Sequence, residues 1–227
     1  MTRRTNARLA GLAFLVYIAV GIRTMMLFGR AMAGHGVDAK LATLAQHAAD
    51  LRAGVLLVLL TSLCALVLGV TLWALTREQD ADVAMLGMLC RLCEGLAGAL
   101  TVQRTMGLLW LTGAAGDGSL DAPAMRTLGA WLLNGHVSGV GAIFFAVGSL
   151  LFAWLLARGR IIPSPLAWWG VITSAAAVVA LPLEFVGYFP SRWIWYVWLP
   201  LAAFEVPLAL WLLVKGAAAP VGARAQA

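Results

Sequence analysis

The chain has 227 residues, of which 62% are hydrophobic and only 11% are charged, and its mean hydropathy is +0.90. Soluble globular proteins carry about 25% charged residues, so this composition cannot cover a water-exposed surface and excludes a soluble protein. The sequence predicts an all-α integral membrane protein whose main partner is the lipid bilayer. The formal net charge of +6 then reflects topology and contact with anionic headgroups, and we predict no nucleic-acid partner.

Six apolar segments are long enough to cross a bilayer as helices, which takes about 20 residues each. They are Leu9–Phe28, Ala53–Leu75, Val83–Leu111, Thr127–Leu156, Leu166–Tyr188 and Trp193–Val214. Short loops between them predict one six-helix domain over residues 1–216, and the Ala/Gly-rich residues 217–227 predict a disordered tail. Arginines before the first span resemble a secretory signal, but Arg23 interrupts the apolar run, which favours an uncleaved first span.

The segment Val37–Arg52 differs from the spans because its apolar residues recur at helical spacing among polar ones. Asp38 is a suitable N-cap residue for such a helix. The pattern predicts an amphipathic helix at the membrane interface, between the first two spans. We expect this helix to cap an intramembrane cavity on the outer side.

Basic residues outside the spans set the predicted orientation. With the N-terminus inside, eight of them lie on the inner side and five on the outer side. The inner set is Arg3, Arg4, Arg8, Arg77, Arg158, Arg160, Lys215 and Arg224, and the outer set is Arg30, Lys40, Arg52, Arg126 and Arg192. This asymmetry predicts that both termini are cytoplasmic.

Charged residues fall inside the predicted spans, where a lone charge costs about 2.5–3.5 kcal/mol at mid-membrane. They are Arg23, Arg91, Glu94, Arg104, Glu184 and Glu205, and the fourth span adds Asn134 and His136. We expect them to face the bundle interior, pair or border water. On the third span, Arg91, Glu94 and Arg104 share one face, an arc of about 140°. This face predicts a polar cavity that opens outward, with the Arg91–Glu94 pair at its floor.

The charged residues and His136 therefore define a predicted site that is either ligand-binding or simply a buried polar core. Its members are Arg91, Glu94, His136, Glu205, Arg104, Arg23 and Glu184. Arg23 and Glu184 are also close enough to span ends to snorkel, and Arg91 and Glu94 can form a purely structural ion pair. His136 is the single histidine deep in a span, which favours a packing role over metal or haem ligation. We predict no metal site, no cofactor and no disulfide among the three cysteines.

Four stretches carry a resemblance to a known family: "ARLAGLAFLVYIAVGI", "RLCEG", "NGHVSGVGAIFFAVGSLLFAWLLARGRIIPSPLAWWGV" and "FEVPLALWLLVKG". Over most of its length the chain resembles the bacterial six-helix membrane proteins called domain of unknown function 4386. The family pattern has an Arg-x-x-Glu in the third span, a His early in the fourth, and a Glu before a final Trp-Leu-Leu-Val-Lys-Gly. The matching residues here are Arg91, Glu94, His136, Glu205 and Lys215. Arg23, Arg104 and Glu184 match no part of it. The resemblance implies a six-helix fold in the bacterial cytoplasmic (inner) membrane and brings no established activity.

Three functions fit this pattern, and no residue is assigned a catalytic role. The first is a small-molecule binder or transporter that uses the cavity. The second is a membrane-embedded enzyme in which Glu94 or Glu205 acts as acid and base beside His136. The third is a structural or regulatory subunit whose ion-pair core binds nothing. We favour the binder or transporter, although transporters often break helices in both halves and the span prolines here lie in the later spans. The ligand and the oligomeric state stay open.

Overall fold

The computed structural model describes residues 1–116, 120–134 and 137–218, and within these ranges every regular element is helical. The helices are α1 (Arg3–Ala31), α2 (Val37–Gln46), α3 (Ala48–Thr76), α4 (Ala81–Gly116), α5 (Ala122–Asn134), α6 (Val137–Arg158), α7 (Ser164–Phe185) and α8 (Trp195–Val214). A single 3-10 turn at Ser191–Trp193 precedes α8. The predicted disordered tail lies outside the described residues from position 219 onward.

Six of these helices, α1, α3, α4, α6, α7 and α8, are long and apolar enough to cross a membrane. Their outer surfaces carry large apolar side chains, and Leu56, Leu96 and Ile172 are each more than 60% exposed. A continuous apolar belt of this kind is stable against lipid hydrocarbon rather than water. The chain is therefore an all-helical, multi-pass integral membrane protein, as its composition predicts.

The six spans form a closed ring in which each packs mainly against two others, in the order α1, α3, α4, α6, α7, α8 and back to α1, and α3 also touches α6. Arg3 pairs with Glu78 at 3.3 Å and donates to the carbonyl of Ala218 at 3.1 Å. Arg158 pairs with Asp80 at 3.6 Å. These contacts bring the first and last described residues to one end of the bundle, called here the basal end. The opposite end, where α1 stops and α3 starts, is the distal end.

Glycine closes the ring between α1 and α8. A Cβ added at Gly11 would lie 2.6 Å from the Ala209 carbonyl oxygen and 2.7 Å from the Leu213 amide nitrogen, so no larger residue fits without separating the helices. This contact sits over an apolar core that fills the basal half of the ring. Its buried residues include Ala7, Ala10, Phe14, Leu72, Leu75, Phe152, Leu156, Leu208 and Leu212.

The fourth predicted span, Thr127–Leu156, covers parts of two described helices, and residues 135–136 between them lie outside the described residues. Helix α5 is described to Asn134 and α6 from Val137, and among the described residues Gly139–Arg158 has the length and hydropathy of a span. Helix α5 packs against α2 and α4. The other five predicted spans differ from the observed helices at their ends.

Helix α4 has 36 residues, or about 54 Å, and so extends beyond the hydrocarbon core at the distal end. Helices α2 and α5 pack around this extension and form what we call the distal cap. Its buried core consists of Ala31, Leu41, Leu44, Leu51, Leu108 and Leu111. On its surface Arg126 of α5 pairs with Asp38 of α2 at 2.8 Å.

The amphipathic helix is shorter than its predicted range of Val37–Arg52. Helix α2 ends at Gln46, and Arg52 belongs to α3. Its N-cap is Gly36 with φ of 85°, a conformation that favours glycine, and Asp38 lies in the first turn. There the carboxylate faces Arg126 and complements the positive end of the helix dipole.

Candidate functional site: a charge cluster beneath a cavity

Arg91 lies at the centre of the ring because two glycines make room for its helix. A Cβ added at Gly69 of α3 would approach Arg91 Cβ to 3.2 Å, and one at Gly148 of α6 would approach Cys90 Cβ to 3.2 Å. Helix α4 is thus held closely between α3 and α6. Arg91 is only 1% exposed, although it carries a full charge, so its interactions inside the protein replace those with water.

The guanidinium of Arg91 contacts three polar partners on three helices. It donates to Glu94 Oε2 at 2.9 Å and to Ser149 Oγ on α6 at 2.9 Å, and one of its terminal nitrogens lies 3.8 Å from Glu205 Oε1 on α8. It also lies 4.7 Å from the ring centroid of Phe145, within cation–π range. The i, i+3 spacing of Arg91 and Glu94 puts both on one face of α4.

Tyr17 on α1 completes the polar set by donating its hydroxyl to Glu94 Oε1 at 2.5 Å. Glu94 therefore accepts one hydrogen bond on each oxygen, from Tyr17 and from Arg91. Glu205, by contrast, makes the Arg91 ion pair but has no hydrogen bond to Oε1 within the described chain. A space of about 10 Å³ lined by Arg91, Ser149 and Glu205 is large enough for about one water molecule.

We call Arg91, Glu94 and Glu205 the charge cluster. All three are buried, with side-chain exposures of 1%, 8% and 7%. With both carboxylates ionised, its formal charge is −1, since one guanidinium faces two carboxylates. Removing a charge from water is costly even when it is paired, so the uncompensated negative charge is the main electrostatic feature of the interior.

A cavity of about 360 Å³ lies on the distal side of the charge cluster, enclosed by α1, α3, α4, α6 and α8. We call it the distal cavity. Glu94 and Tyr17 form its floor, and Phe28 and Trp198 are among its wall residues. The sequence predicts a polar cavity, but the described wall is mainly apolar, and Glu94 is its single charged residue. The helix α2, predicted to cap the cavity, contributes no residue to this described wall.

The sequence groups Arg104 with the site, but in the structure Arg104 contacts α5 and not the charge cluster. It donates to the carbonyl of Leu132, and to the carbonyl of Leu133 at 2.6 Å. These carbonyls belong to the last described turn of α5. Arg104 therefore links α4 to α5.

The other predicted site residues are not part of the charge cluster. Arg23 is exposed on α1. Glu184 lines a second cavity of about 280 Å³ with Phe185 and Ile194, and this second cavity shares Ala142 and Trp198 with the distal cavity. His136 lies outside the described residues. The predicted ligand-binding role of the whole set stays a prediction.

Two polar members of the site, Tyr17 and Ser149, are absent from the sequence-based set. Tyr17 stands alone as a phenol within an apolar run, which is the signal that could have drawn attention to it. Ser149 resembles many small residues in span helices and carries no such signal. Within residues 1–116, 120–134 and 137–218, no three His, Cys, Asp or Glu side chains are grouped to hold a metal ion.

One family model matches most of the chain. No curated protein and no solved structure matches it. The sequence model of the family described as domain of unknown function (DUF4386) matches residues 9–216, a range that contains all six spans apart from the first turns of α1, and the whole charge cluster. The chain therefore belongs to the DUF4386 family of membrane proteins.

Proposed function

We propose that the protein binds a small molecule in the distal cavity and moves it across the membrane. The observation that carries this proposal is the cavity itself, about 360 Å³ in volume, with the Glu94 carboxylate on its floor. Small-molecule sites are typically concave, about 300–1,000 Å³, mainly apolar and furnished with a few convergent polar groups. The distal cavity has each of these properties.

A purely structural role explains the charge cluster less well. Buried ion pairs contribute little net stability and are often replaceable by apolar side chains. A structural core would also favour filled space, since each void forfeits packing. Here the charge cluster lies directly against an open volume, and Glu94 belongs to both. This combination supports ligand binding at that carboxylate.

The uneven packing of the ring supports transport rather than binding alone. The apolar core includes the buried residues of the basal half, where Gly11 brings α1 onto α8, and it continues to Leu181 and Leu201, whereas the cavity lies in the distal half. A cavity on one side of a packed core is what a transporter shows in one of its two states. Prolines at 182, 200 and 207 lie inside α7 and α8, where each removes a helical hydrogen bond and permits local bending.

For orientation, we propose the bacterial inner membrane with both termini in the cytoplasm, so that the distal cavity opens outward. Among basic residues outside the predicted spans, eight belong to the proposed inner side and five to the outer side, which supports this orientation. The enzyme alternative assigns acid–base chemistry to Glu94 or Glu205 beside His136. Since His136 lies outside the described residues, no described contact favours that alternative.

The proposed function is tested by filling the cavity. Gly21 lies on the cavity wall, and a Cβ added there would meet nothing within 4 Å, so Gly21→Phe should place a ring in the cavity. Gly29, also on α1 and equally open, is not a wall residue, and Gly29→Phe is the matched control. Native mass spectrometry of the purified proteins should show a bound small molecule in the wild type and the control but not in Gly21→Phe. The same bound species in all three would contradict a site in this cavity.

A further inference from the structure

We propose that the ligand of the distal cavity is a small monovalent organic cation, an amine or quaternary ammonium with an apolar body, and that its charged group contacts Glu94. This inference rests on the proposed function and adds the chemical class of the ligand. It depends on the charge balance of the interior, on which charged group the cavity presents, and on the chemistry of the walls.

The first step is the charge balance. Arg91 is shared between Glu94 and Glu205, so with both carboxylates ionised the cluster carries one negative charge more than positive. A single positive charge brought into the cavity would make the buried group neutral, and an anion would double its excess. Charges taken out of water are stable mainly when they are paired. The cluster is thus electrostatically complementary to one monovalent cation.

The cavity presents one carboxylate to a ligand. Glu94 is a wall residue, whereas Arg91 and Glu205 are not. Each Glu94 oxygen accepts one hydrogen bond within the protein and, as a carboxylate oxygen, can accept another. A ligand in the cavity therefore meets a carboxylate with Arg91 behind it, and no described cationic group faces it.

The third step is the shortage of hydrogen-bond donors on the walls. The hydroxyls of Thr24 and Thr61 donate to the carbonyls of Val20 and Leu57 on their own helices, and Tyr17 donates to Glu94. Ser62 and Thr101 are the other wall residues with hydroxyls, and no described lysine, arginine or histidine lines the cavity. An anionic ligand therefore finds few donors and no cation there.

Aromatic rings suit a cation better than a neutral ligand. Tyr17, Phe145 and Trp198 all line the cavity. The rings of Tyr17 and Phe145 are parallel with centroids 6.3 Å apart, and the centroids of Phe145 and Trp198 are 5.6 Å apart. The Phe145 ring already contacts the Arg91 guanidinium, which leaves the rings of Tyr17 and Trp198 for a ligand. The faces of such rings attract ammonium groups, and their hydrocarbon surface accommodates an apolar body.

The test compares three probes that share a benzene ring and differ in charge: benzylammonium, benzyl alcohol and benzoate. Full-length protein is placed in phosphatidylcholine nanodiscs, with empty nanodiscs as the blank, and binding is measured by isothermal titration calorimetry. We expect benzylammonium to bind at least about tenfold more tightly than benzyl alcohol, as a charge-assisted contact implies, and benzoate not to bind. Phenyltrimethylammonium, which has no proton to lose, should behave like benzylammonium.

The variant Glu94→Gln tests whether Glu94 itself binds the charged group of the probe. It leaves one Arg91–Glu205 pair of zero net charge, so the variant should fold. The tenfold preference should disappear in Glu94→Gln and persist in Glu184→Gln, the matched change in the second cavity. Loss of the benzylammonium preference in Glu184→Gln, and not in Glu94→Gln, would overturn the assignment to Glu94. Equal binding of benzylammonium and benzyl alcohol, abolished by Gly21→Phe, would overturn the cation class while supporting the proposed function. No binding of any probe to the wild type would overturn the cation class, and the native mass spectra of wild type and Gly21→Phe would then decide the proposed function alone.

Discussion

The guanidinium of Arg91 on α4 lies 3.8 Å from the carboxylate of Glu205 on α8, two helices that are not neighbours in the ring of spans. This ion pair crosses the interior and gives Arg91 a second acidic partner besides Glu94. One arginine therefore holds two carboxylates in place, and the three residues are not equivalent when one of them is removed.

We expect Arg91→Met to be the most destabilising single change in the charge cluster. It leaves two buried carboxylates without a cation, and breaking a buried pair costs about 3–5 kcal/mol. Glu94→Gln and Glu205→Gln each leave one arginine with one glutamate, so each should cost only about 1–3 kcal/mol from lost hydrogen bonds. Thermal unfolding of the purified proteins would rank the three variants by stability. Equal stability of Arg91→Met and Glu94→Gln would show that Glu205 does not share the charge.

Stability should be restored only when all three residues of the charge cluster are replaced by apolar ones. The double variant Arg91→Met/Glu94→Met leaves Glu205 as an isolated charge, and we expect it to remain unstable. Adding Glu205→Met removes the last buried charge, and apolar side chains of similar volume often replace a buried ionic group without loss. The triple variant should then unfold close to the wild-type temperature. Full rescue by the double variant would contradict the coupling of Glu205 to the other two.

The sequence predicts the part of this site that lies on one helix. Spacing of three residues places Arg91 and Glu94 on the same face of α4, and the cost of exposing them to lipid predicts that this face points inward. Which other helices meet that face depends on the order of the spans around the ring, and local spacing contains no information on this order. Ser149 could not be found for that reason. Tyr17 could be noticed as a lone phenol but not placed beside Glu94, and the position of Glu205 could only be suggested by its depth.

The spans were predictable from hydropathy, because six apolar runs are long enough to cross a bilayer and six described helices have that length and hydropathy. The packing of α5 in the distal cap was not predicted. The predicted run Thr127–Leu156 includes most of α5, whose Leu132 and Leu133 pack against the core of the cap. An apolar helix face has the same sequence pattern whether it contacts lipid or protein. The contact of Arg104 with this helix joins residues far apart in the chain.

The close contact of α1 and α8 predicts a strong effect of a single methyl group. Gly11→Ala would place Cβ 2.6 Å from the Ala209 carbonyl oxygen, and the two backbones would have to separate. Overpacking of this kind costs about 1–3 kcal/mol, so we expect a lower unfolding temperature and more exchange of basal amides. Gly21→Ala on the same helix is the control, since its Cβ meets nothing within 4 Å. Equal effects of the two substitutions would contradict the packing of α1 on α8.

In the distal cap, the apolar contacts should outweigh the surface ion pair. Leu44 is fully buried, and Leu44→Ala should lower the free energy of unfolding by about 2–5 kcal/mol. Asp38→Asn removes the partner of Arg126, but both side chains are more than 60% exposed, where ion pairs contribute little. We expect its unfolding curve to match that of the wild type. A larger loss in Asp38→Asn than in Leu44→Ala would show that the pair, and not the core, holds α2 to α5.

We expect both ends of the chain to lie on the cytoplasmic side of the membrane. The six spans and the contacts of Arg3 with Glu78 and Ala218 put both described ends at the basal end. Eight basic residues outside the predicted spans belong to the proposed inner side and five to the outer side, and such an excess marks the cytoplasmic side. Green fluorescent protein fused after Ala227 should therefore be fluorescent. Alkaline phosphatase, which is active only outside the cytoplasm, should be active when inserted at Gly34 in the loop between α1 and α2. Active phosphatase after Ala227, together with none at Gly34, would reverse the orientation and place the mouth of the distal cavity on the cytoplasmic side.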